Sequence, residues 1–544
     1  MSGSMAGFVP FPPRRAQTYR AAGYWDGTAL DAAILRSSAA RWPERTAIRD
    51  HDTSLTYREL DESVDRAAAG LTALGVSAGD RMVLQLPNRC SFAVALFSLL
   101  RAGAVPIMCL PGHRTSELSH FVDVADAVGV IVADNAAGFD YRKMAGELAQ
   151  RHRGLRHLIV AGDAGPFTAW SQICAAAGPV PDPTRDTGQP ALLLVSGGTT
   201  GAPKLIPRTH DDYLYNITAS ARLCRLASDD VYLVSLPAGH NFPLACPGLL
   251  GALSVGATVV FGSDPSPESA FDAIAAHRVT VTALVPALAR LWAQACEWEP
   301  HPPATLRLLQ VGGAKLNPED AHHIRATLTP GLQQVFGMAE GLLCYTRLND
   351  SPDIVCNTQG RPLSAADEVR VVDDAESDVM AGEEGQLLVR GPYTLNGYFR
   401  AERDNARAFS PQGFYRTGDR VRQLPGGYLE VTGRVKDVIQ RAGETVSAPE
   451  LEAHLLTHPA VSAVAAVPIP DDYLGEKVCA AIIFKRDPVG LAELNMHLDG
   501  RGVAAHSRLD LVAPMPSFPA TAVGKIDKQA IVAKIIKETQ RATK

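Results

Sequence analysis

Short apolar runs of strand length alternate with helical patterns along most of the chain, from about Leu55 to Gly337. Val83 to Leu86 precedes a helical Phe92 to Leu100, Val231 to Leu236 precedes a loop and a helix, and Val279 to Leu284 precedes Ala287 to Cys296. Leu306 to Val311 precedes a helix announced by Asn317 as N-cap, Pro318 at the first helical position, and Glu319 and Asp320 in the first turn. Such alternation predicts an α/β fold of mainly parallel sheets covered by helices on both faces. In that architecture ligands collect at the carboxyl ends of strands. The loops Ser196–Lys204, Gly239–Phe242, Gly312–Lys315 and Gly337–Glu340 all follow such strands, so they can converge though far apart in sequence.

After Gln386 the pattern shifts to short strands and turns, including Gln386 to Arg390 and Tyr428 to Thr432, and from about Asp437 a small α/β pattern runs to the end. The expected organisation is a large N-terminal domain over 1–432 with a small β-rich part, a hinge over 433–437, and a small mobile α+β C-terminal domain over 438–544. Pro10, Pro12 and Pro13 suggest a short extended arm. Leu244 to Phe261 carries no charge over nearly the length that spans a bilayer. Pro247, Gly248, Gly251 and Gly256 interrupt it, however, and Thr258 to Phe261 is β-branched or aromatic, so a buried helix ending near Gly256 and then a buried strand is the better fit.

With 544 residues, more than one core is expected, and 46% hydrophobic residues mark a globular chain. A net charge of −6 offers no basic field for nucleic acid. The nine cysteines are scattered, odd in number and never spaced as CxxC, which favours neither a disulfide framework nor a zinc site and suits a reducing cytoplasm. Arg14 and Arg15 are followed by no apolar run, so no signal peptide is predicted.

The candidate chemistry begins at Ser196-Gly197-Gly198-Thr199-Thr200-Gly201-Ala202-Pro203-Lys204, directly after the apolar run Leu192 to Val195. Glycines let backbone N–H groups converge on phosphate oxygens, the threonines add hydroxyl donors, and Lys204 adds a positive charge. A P-loop would need its lysine directly after glycine and before Ser or Thr; here Ala202 and Pro203 intervene and Leu205 follows, which disfavours a switch or motor ATPase.

Five further stretches appear in order: Gly337-Met338-Ala339-Glu340-Gly341, Tyr415-Arg416-Thr417-Gly418-Asp419, Gly433-Arg434-Val435-Lys436-Asp437, Arg441-Ala442-Gly443-Glu444 and Gly524-Lys525-Ile526-Asp527. Together with the glycine-rich loop they resemble the adenylate-forming superfamily across nearly the whole chain. The resemblance implies ATP and Mg²⁺. Ser196 to Gly201 and Lys204 would hold phosphates, and Glu340 would hold the metal. Asp419, assisted by Arg434, would bind the ribose. Gly312, Gly313 and Ala314 would admit the adenine face, with Val335, Phe336 and the following Gly337, Met338 and Ala339 beside it. A carboxylate is already ionised at pH 7, so joining it to a phosphate needs positive charge rather than a base. The resemblance gives that task to Lys525, and makes Lys436 the hinge.

Gly239-His240-Asn241-Phe242-Pro243-Leu244-Ala245-Cys246 offers no carboxylate for an amino acid's ammonium, and it resembles the aryl-acid AMP ligase branch that activates salicylate or 2,3-dihydroxybenzoate for siderophores. In that branch Asn241 would contact the ortho-hydroxyl or carboxylate, Phe242 would wall the ring, and His240 would gate entry. Leu343 and Ala314 would finish the floor, and Cys344 stands where relatives often carry Asn. Where dihydroxybenzoate enzymes typically carry Ser, this chain has Cys246, a small hydrophobe that cannot greet a 3-hydroxyl as a serine would, so salicylate is expected. The implied partner is an aryl carrier domain of a non-ribosomal peptide synthetase. Still open here are 2,3-dihydroxybenzoate as the acid, coenzyme A as the acceptor, and a nucleotide-binding module without turnover.

Overall fold

The computed structural model describes residues 5–181, 186–196, 203–298, 303–435, 438–441, 444–471, 474–501, 503, 507–521 and 525–542. Among these, a nine-stranded and a seven-stranded sheet carry the large N-terminal body. The inner strands of the first run parallel: Leu332–Gly337, Leu308–Gly312, Val281–Leu284, Val231–Val234, Thr258–Phe261 and Thr46–Arg49, in that spatial order. The seven-stranded sheet is parallel except where Pro190–Val195 meets Leu205–Thr209, so the glycine-rich segment joins two antiparallel strands rather than a strand and a helix. One apolar core runs between and around the two sheets, and a second lies under the helices on the far face of the nine-stranded sheet. The alternation along the sequence thus marks helix-covered parallel sheets, with antiparallel strands only at edges.

Asn317 caps Pro318–Thr327 as expected, its side chain accepting from Glu319 N at 2.9 Å. The charge-free stretch is buried, but as two short helices, Asn241–Ala245 and Gly248–Ser254, followed by the strand Thr258–Phe261. The break falls at Cys246-Pro247, a cis peptide, with Gly248 at φ 59. A Cβ on Gly248 would stand 2.3 Å from the Pro243 carbonyl oxygen, so only glycine turns the chain there. No helix among the described residues is long and apolar enough to cross a membrane.

Four antiparallel strands, Glu368–Val372, Glu384–Arg390, Tyr415–Gln423 and Leu429–Arg434, form the small β-rich part. Beyond it, Val438–Arg441, Glu444–Ser447, Val461–Asp471 and Gly475–Phe484 make a separate sheet, with Leu511–Pro514 added in parallel. Apolar clusters cover both faces of that sheet, which gives the C-terminal portion a core of its own.

Candidate active site

The strands Leu308–Gly312 and Leu332–Gly337 pair with Gly312 opposite Val335, and their carboxyl ends open on one side of the sheet. A Cβ on Gly312 would stand 2.6 Å from the Val335 oxygen and 3.1 Å from the Phe242 ring, so the glycine is what lets that ring close against the sheet. A small cavity forms there. Leu110, Leu236, Pro237 and Val285 make its apolar walls. His240, Phe242, Gly313 and Lys525 complete the lining, so a residue of the C-terminal portion closes a pocket of the N-terminal one.

His240 caps the helix Asn241–Ala245, its Nδ1 accepting from Phe242 N at 3.3 Å. Burial first, and the Lys525 charge second, push its pKa down to about 4, so the ring is neutral at pH 7 and remains an acceptor. Behind it, the Tyr213 hydroxyl donates to Asn241 Oδ1 at 2.8 Å. Asn241 Nδ2 lies 3.6 Å from Cys246 Sγ, and the Cys246 thiol faces the Asn241 carbonyl at 3.5 Å. Cys246 is 1% exposed, and burial pushes its thiol up to about 12, so it stays protonated.

Across from this pocket lie the groups expected to meet a nucleotide. Asp419 and Arg434 face each other across the antiparallel pair, and Arg434 Nε donates to Asp419 Oδ1 at 3.0 Å. The carboxylate is placed by Gly418 at φ 75 and by a bond from its own N to Thr417 Oγ1 at 3.0 Å. Glu340 accepts from the Tyr398 hydroxyl at 2.9 Å, which in turn meets the Tyr415 hydroxyl at 2.9 Å. Burial raises the Glu340 carboxyl above its ordinary range. Lys204 extends over the same Tyr398 ring, its Nζ 5.4 Å from the centroid and 3.7 Å from Asp404. Its backbone closes the hairpin: Ser196 N donates to Lys204 O at 2.9 Å and Lys204 N to Ser196 Oγ at 2.8 Å. Gly197, Gly198, Thr199, Thr200 and Gly201 lie outside the described residues, as does Lys436.

Lys525 sits on a turn where Thr521 N donates to Lys525 O at 2.7 Å and Lys525 N to Thr521 Oγ1 at 3.2 Å. Its pKa is lowered by burial and then by Arg434, against the opposing pull of Asp419 and Glu340. The lysine therefore stands between the apolar pocket and the side that carries Asp419 and Glu340. The sequence places these groups in six separate segments, and the fold brings them together.

Two expected floor residues stand elsewhere. Ala314 is exposed beside Gly313, and Leu343 is buried in a strand opposite Gly337, where neither lines the cavity. Phe336 and Met338 are part-buried at the end of their strand, while Ala339 O accepts from Arg208 Nη1 at 3.0 Å. The walls Leu110, Leu236 and Val285 escaped the sequence reading, although each follows a parallel strand and its position was a usable signal. Tyr213 and Tyr398 left no comparable signal, because a buried tyrosine looks like core.

The AMP-binding enzyme family matches residues 35–399, and the AMP-binding enzyme C-terminal domain matches residues 450–525. The chain is 65% identical over 536 residues to the salicyl-AMP ligase / salicyl-S-ArCP synthetase of Mycobacterium tuberculosis, covering 97% of this chain and 95% of that protein. It is 47% identical over 527 residues to the 2,3-dihydroxybenzoate-AMP ligase of Bacillus subtilis, covering 97% of each. Among solved structures, the apo structure of Mycobacterium smegmatis MbtA superposes with a TM-score of 0.78 at 63% identity, over 98% of this chain and 100% of that one.

Proposed function

The chain belongs to the AMP-binding enzyme family, and on that premise we propose that it activates salicylate with ATP and passes the salicyl group to the thiol of an aryl carrier domain in mycobactin-type siderophore synthesis. A salicylate carboxylate oxygen attacks the α-phosphorus of ATP. The bond from that phosphorus to the α,β-bridging oxygen breaks, and pyrophosphate leaves with salicyl-AMP remaining. The observation that carries this reading is Lys525, which lines the small, mostly apolar cavity with His240 and Phe242 while feeling Asp419 and Glu340 on its other side. Two anions meeting there favour its charged form, and the charge offsets what accumulates as they join.

Asp419 and Arg434 would hold the ribose, and Lys204 the outer phosphates. The Glu340 carboxyl, withdrawn from water and bonded on one oxygen by Tyr398, fits a cation that takes most of its ligands from phosphate and water. No group of three or more acidic, His or Cys side chains that could hold a metal occurs among the described residues, which suits an ion brought with the nucleotide. Bound there, Mg²⁺ would neutralise phosphate charge. In the second step the carrier thiol attacks the acyl carbon and AMP leaves. Lys525 must then withdraw, and the stretch 433–437 with Lys436 is the hinge we assign; directly before Lys436, Val435 N donates to Gly418 O at 2.8 Å.

ATP–pyrophosphate exchange across a panel of benzoates and amino acids tests the assignment. Salicylate should support the fastest exchange, 2,3-dihydroxybenzoate a weaker one, and amino acids none. Exchange that depends on no aryl acid would overturn it.

A further inference from the structure

We propose that the N-terminal arm is a positioning element for the Glu340 carboxylate: through Gly7, Val9, Arg15 and Trp25 it holds the irregular segment 391–400 in place, and Tyr398 on that segment holds Glu340. This rests on Glu340 being the group that meets the cation of magnesium-bound ATP.

The segment 391–400 has neither a helix nor a strand ladder of its own, yet all of it is buried except the half-buried Asn396 and Arg400. Backbone groups in that position need partners from elsewhere. Some come from the site. Leu395 N donates to Glu340 O at 2.8 Å, Phe399 N donates to Leu205 O at 2.9 Å, and the Tyr393 carbonyl accepts from Arg208 Nη2 at 3.2 Å. The segment thus bridges the loop that carries Glu340 and the strand that follows Lys204. Between those anchors stands Tyr398, whose hydroxyl donates to Glu340 Oε1 at 2.9 Å and whose ring faces Lys204 Nζ.

The remaining partners come from the arm, which meets the segment in reverse order. Arg400 N donates to Gly7 O at 2.9 Å, and Val9 lies against Gly397, where a Cβ would stand 2.6 Å from Val9 Cγ2. Arg15 Nη2 donates to Asn396 Oδ1 at 2.8 Å, and Trp25 Nε1 donates to Pro392 O at 3.0 Å. The arm is itself secured. Residues 8–12 run without helix or strand, Pro13 opens the helix Pro13–Ala21, and Trp25 is buried with the Phe11 and Tyr19 rings edge-on at 4.8 and 5.1 Å. Asn405 shares the hold on Tyr398, accepting from its N at 2.7 Å and donating to its O at 3.0 Å. Loss of the arm's polar contacts should therefore loosen Tyr398 without releasing it. A carboxylate ordered in this way before the cation arrives binds it more tightly, because less freedom is lost on binding.

The test is binding of the non-hydrolysable analogue α,β-methylene-ATP, measured by calorimetry with Mg²⁺ and with a chelator, and a melting curve on each preparation. The enzymes are wild type, Tyr398→Phe and the double variant Arg15→Ala/Trp25→Phe. Mg²⁺ should tighten binding to the wild type. That tightening should fall about tenfold or be lost in Tyr398→Phe, the scale of one hydrogen bond to a charged group, and fall about two- to threefold in the double variant. A merely structural arm would weaken binding equally with and without Mg²⁺, and an unchanged ratio in the double variant would overturn the proposal. Should the double variant not fold, an unchanged ratio in Arg15→Ala overturns it. A Glu340→Gln enzyme that responds to Mg²⁺ as the wild type does would instead defeat the cation assignment, and this proposal with it, a result that the arm variants cannot produce.

Discussion

Asn241, which lies between the cavity residues His240 and Phe242, and Lys525, which lines the same cavity, are of opposite construction. Asn241 is held by Tyr213 and Cys246, whose own partners all lie in the interior of the large body, so its placement is as stable as the core around it. Lys525 arrives on a turn of the C-terminal portion, secured locally by Thr521, and meets the cavity only across the boundary between two separately packed cores. On the function proposed above, recognition of the acid would be preorganised and the activating charge delivered. A site that performs two reactions benefits from that division, because what selects the acid can stay while what activates it leaves.

The sharpest way to break the comparison is Lys525→Ala. Removing one preorganised donor from a developing charge costs about 10²–10³ in rate. Salicyl-AMP formation should fall by that factor, while transfer from supplied salicyl-AMP to a carrier domain persists. Equal loss in both half-reactions would mean that the lysine does not leave, and the contrast between a fixed and a delivered part would fail.

The fixed part is probed by Cys246→Ser, with a smaller expected effect. A pocket that lacks a partner for an added hydroxyl rejects it by on the order of 10²-fold. A serine at this buried position supplies a hydroxyl beside Asn241 and should narrow the salicylate preference over 2,3-dihydroxybenzoate several-fold in kcat/KM. An equal or wider preference would show that Cys246 does not set this selectivity.

The two constructions also differ in how far the sequence exposed them. The groups proposed to meet the phosphates, the ribose and the reacting carboxylate sit in short motifs rich in glycine and charge, so Lys204, Glu340, Asp419, Arg434 and Lys525 stand out as candidates before any fold is known. The parallel sheets were legible from alternating apolar runs, and the helix begun by Asn317 from its cap. The supports of the fixed part were not. Tyr213 is distant in sequence from Asn241 and becomes its partner only through packing of the helix His210–Leu223 against Asn241–Ala245. The split of the charge-free stretch at Cys246-Pro247 also escaped, because apolar periodicity marks burial and not a turn inside it. Ala314 and Leu343, expected in the floor, are not among the residues that line this cavity.

His240 sits where the two constructions touch, and it gives the smallest effect and the most direct sign of their contact. The unfolded chain takes up a proton at this imidazole near pH 6.5, and the folded one only near about 4, because of burial and the Lys525 charge. The stability it contributes is therefore complete above pH 6.5 and declines as the pH falls from there toward 4, where the unfolded state binds more protons. His240→Gln keeps an oxygen that can accept from Phe242 N but cannot titrate. Its free energy of unfolding, from denaturant titrations, should fall less steeply between pH 6.5 and 4.5, by an amount on the order of 1 kcal/mol after allowance for part exposure. Lys525→Ala should also flatten the curve, since one of the two causes of the depressed pKa is gone. Parallel curves for wild type and His240→Gln would mean the ring is not desolvated in the folded protein. A flattened His240→Gln curve with an unaltered Lys525→Ala curve would mean the lysine spends its time away from the pocket in solution, and that the delivered part reaches the fixed part only once substrates bind.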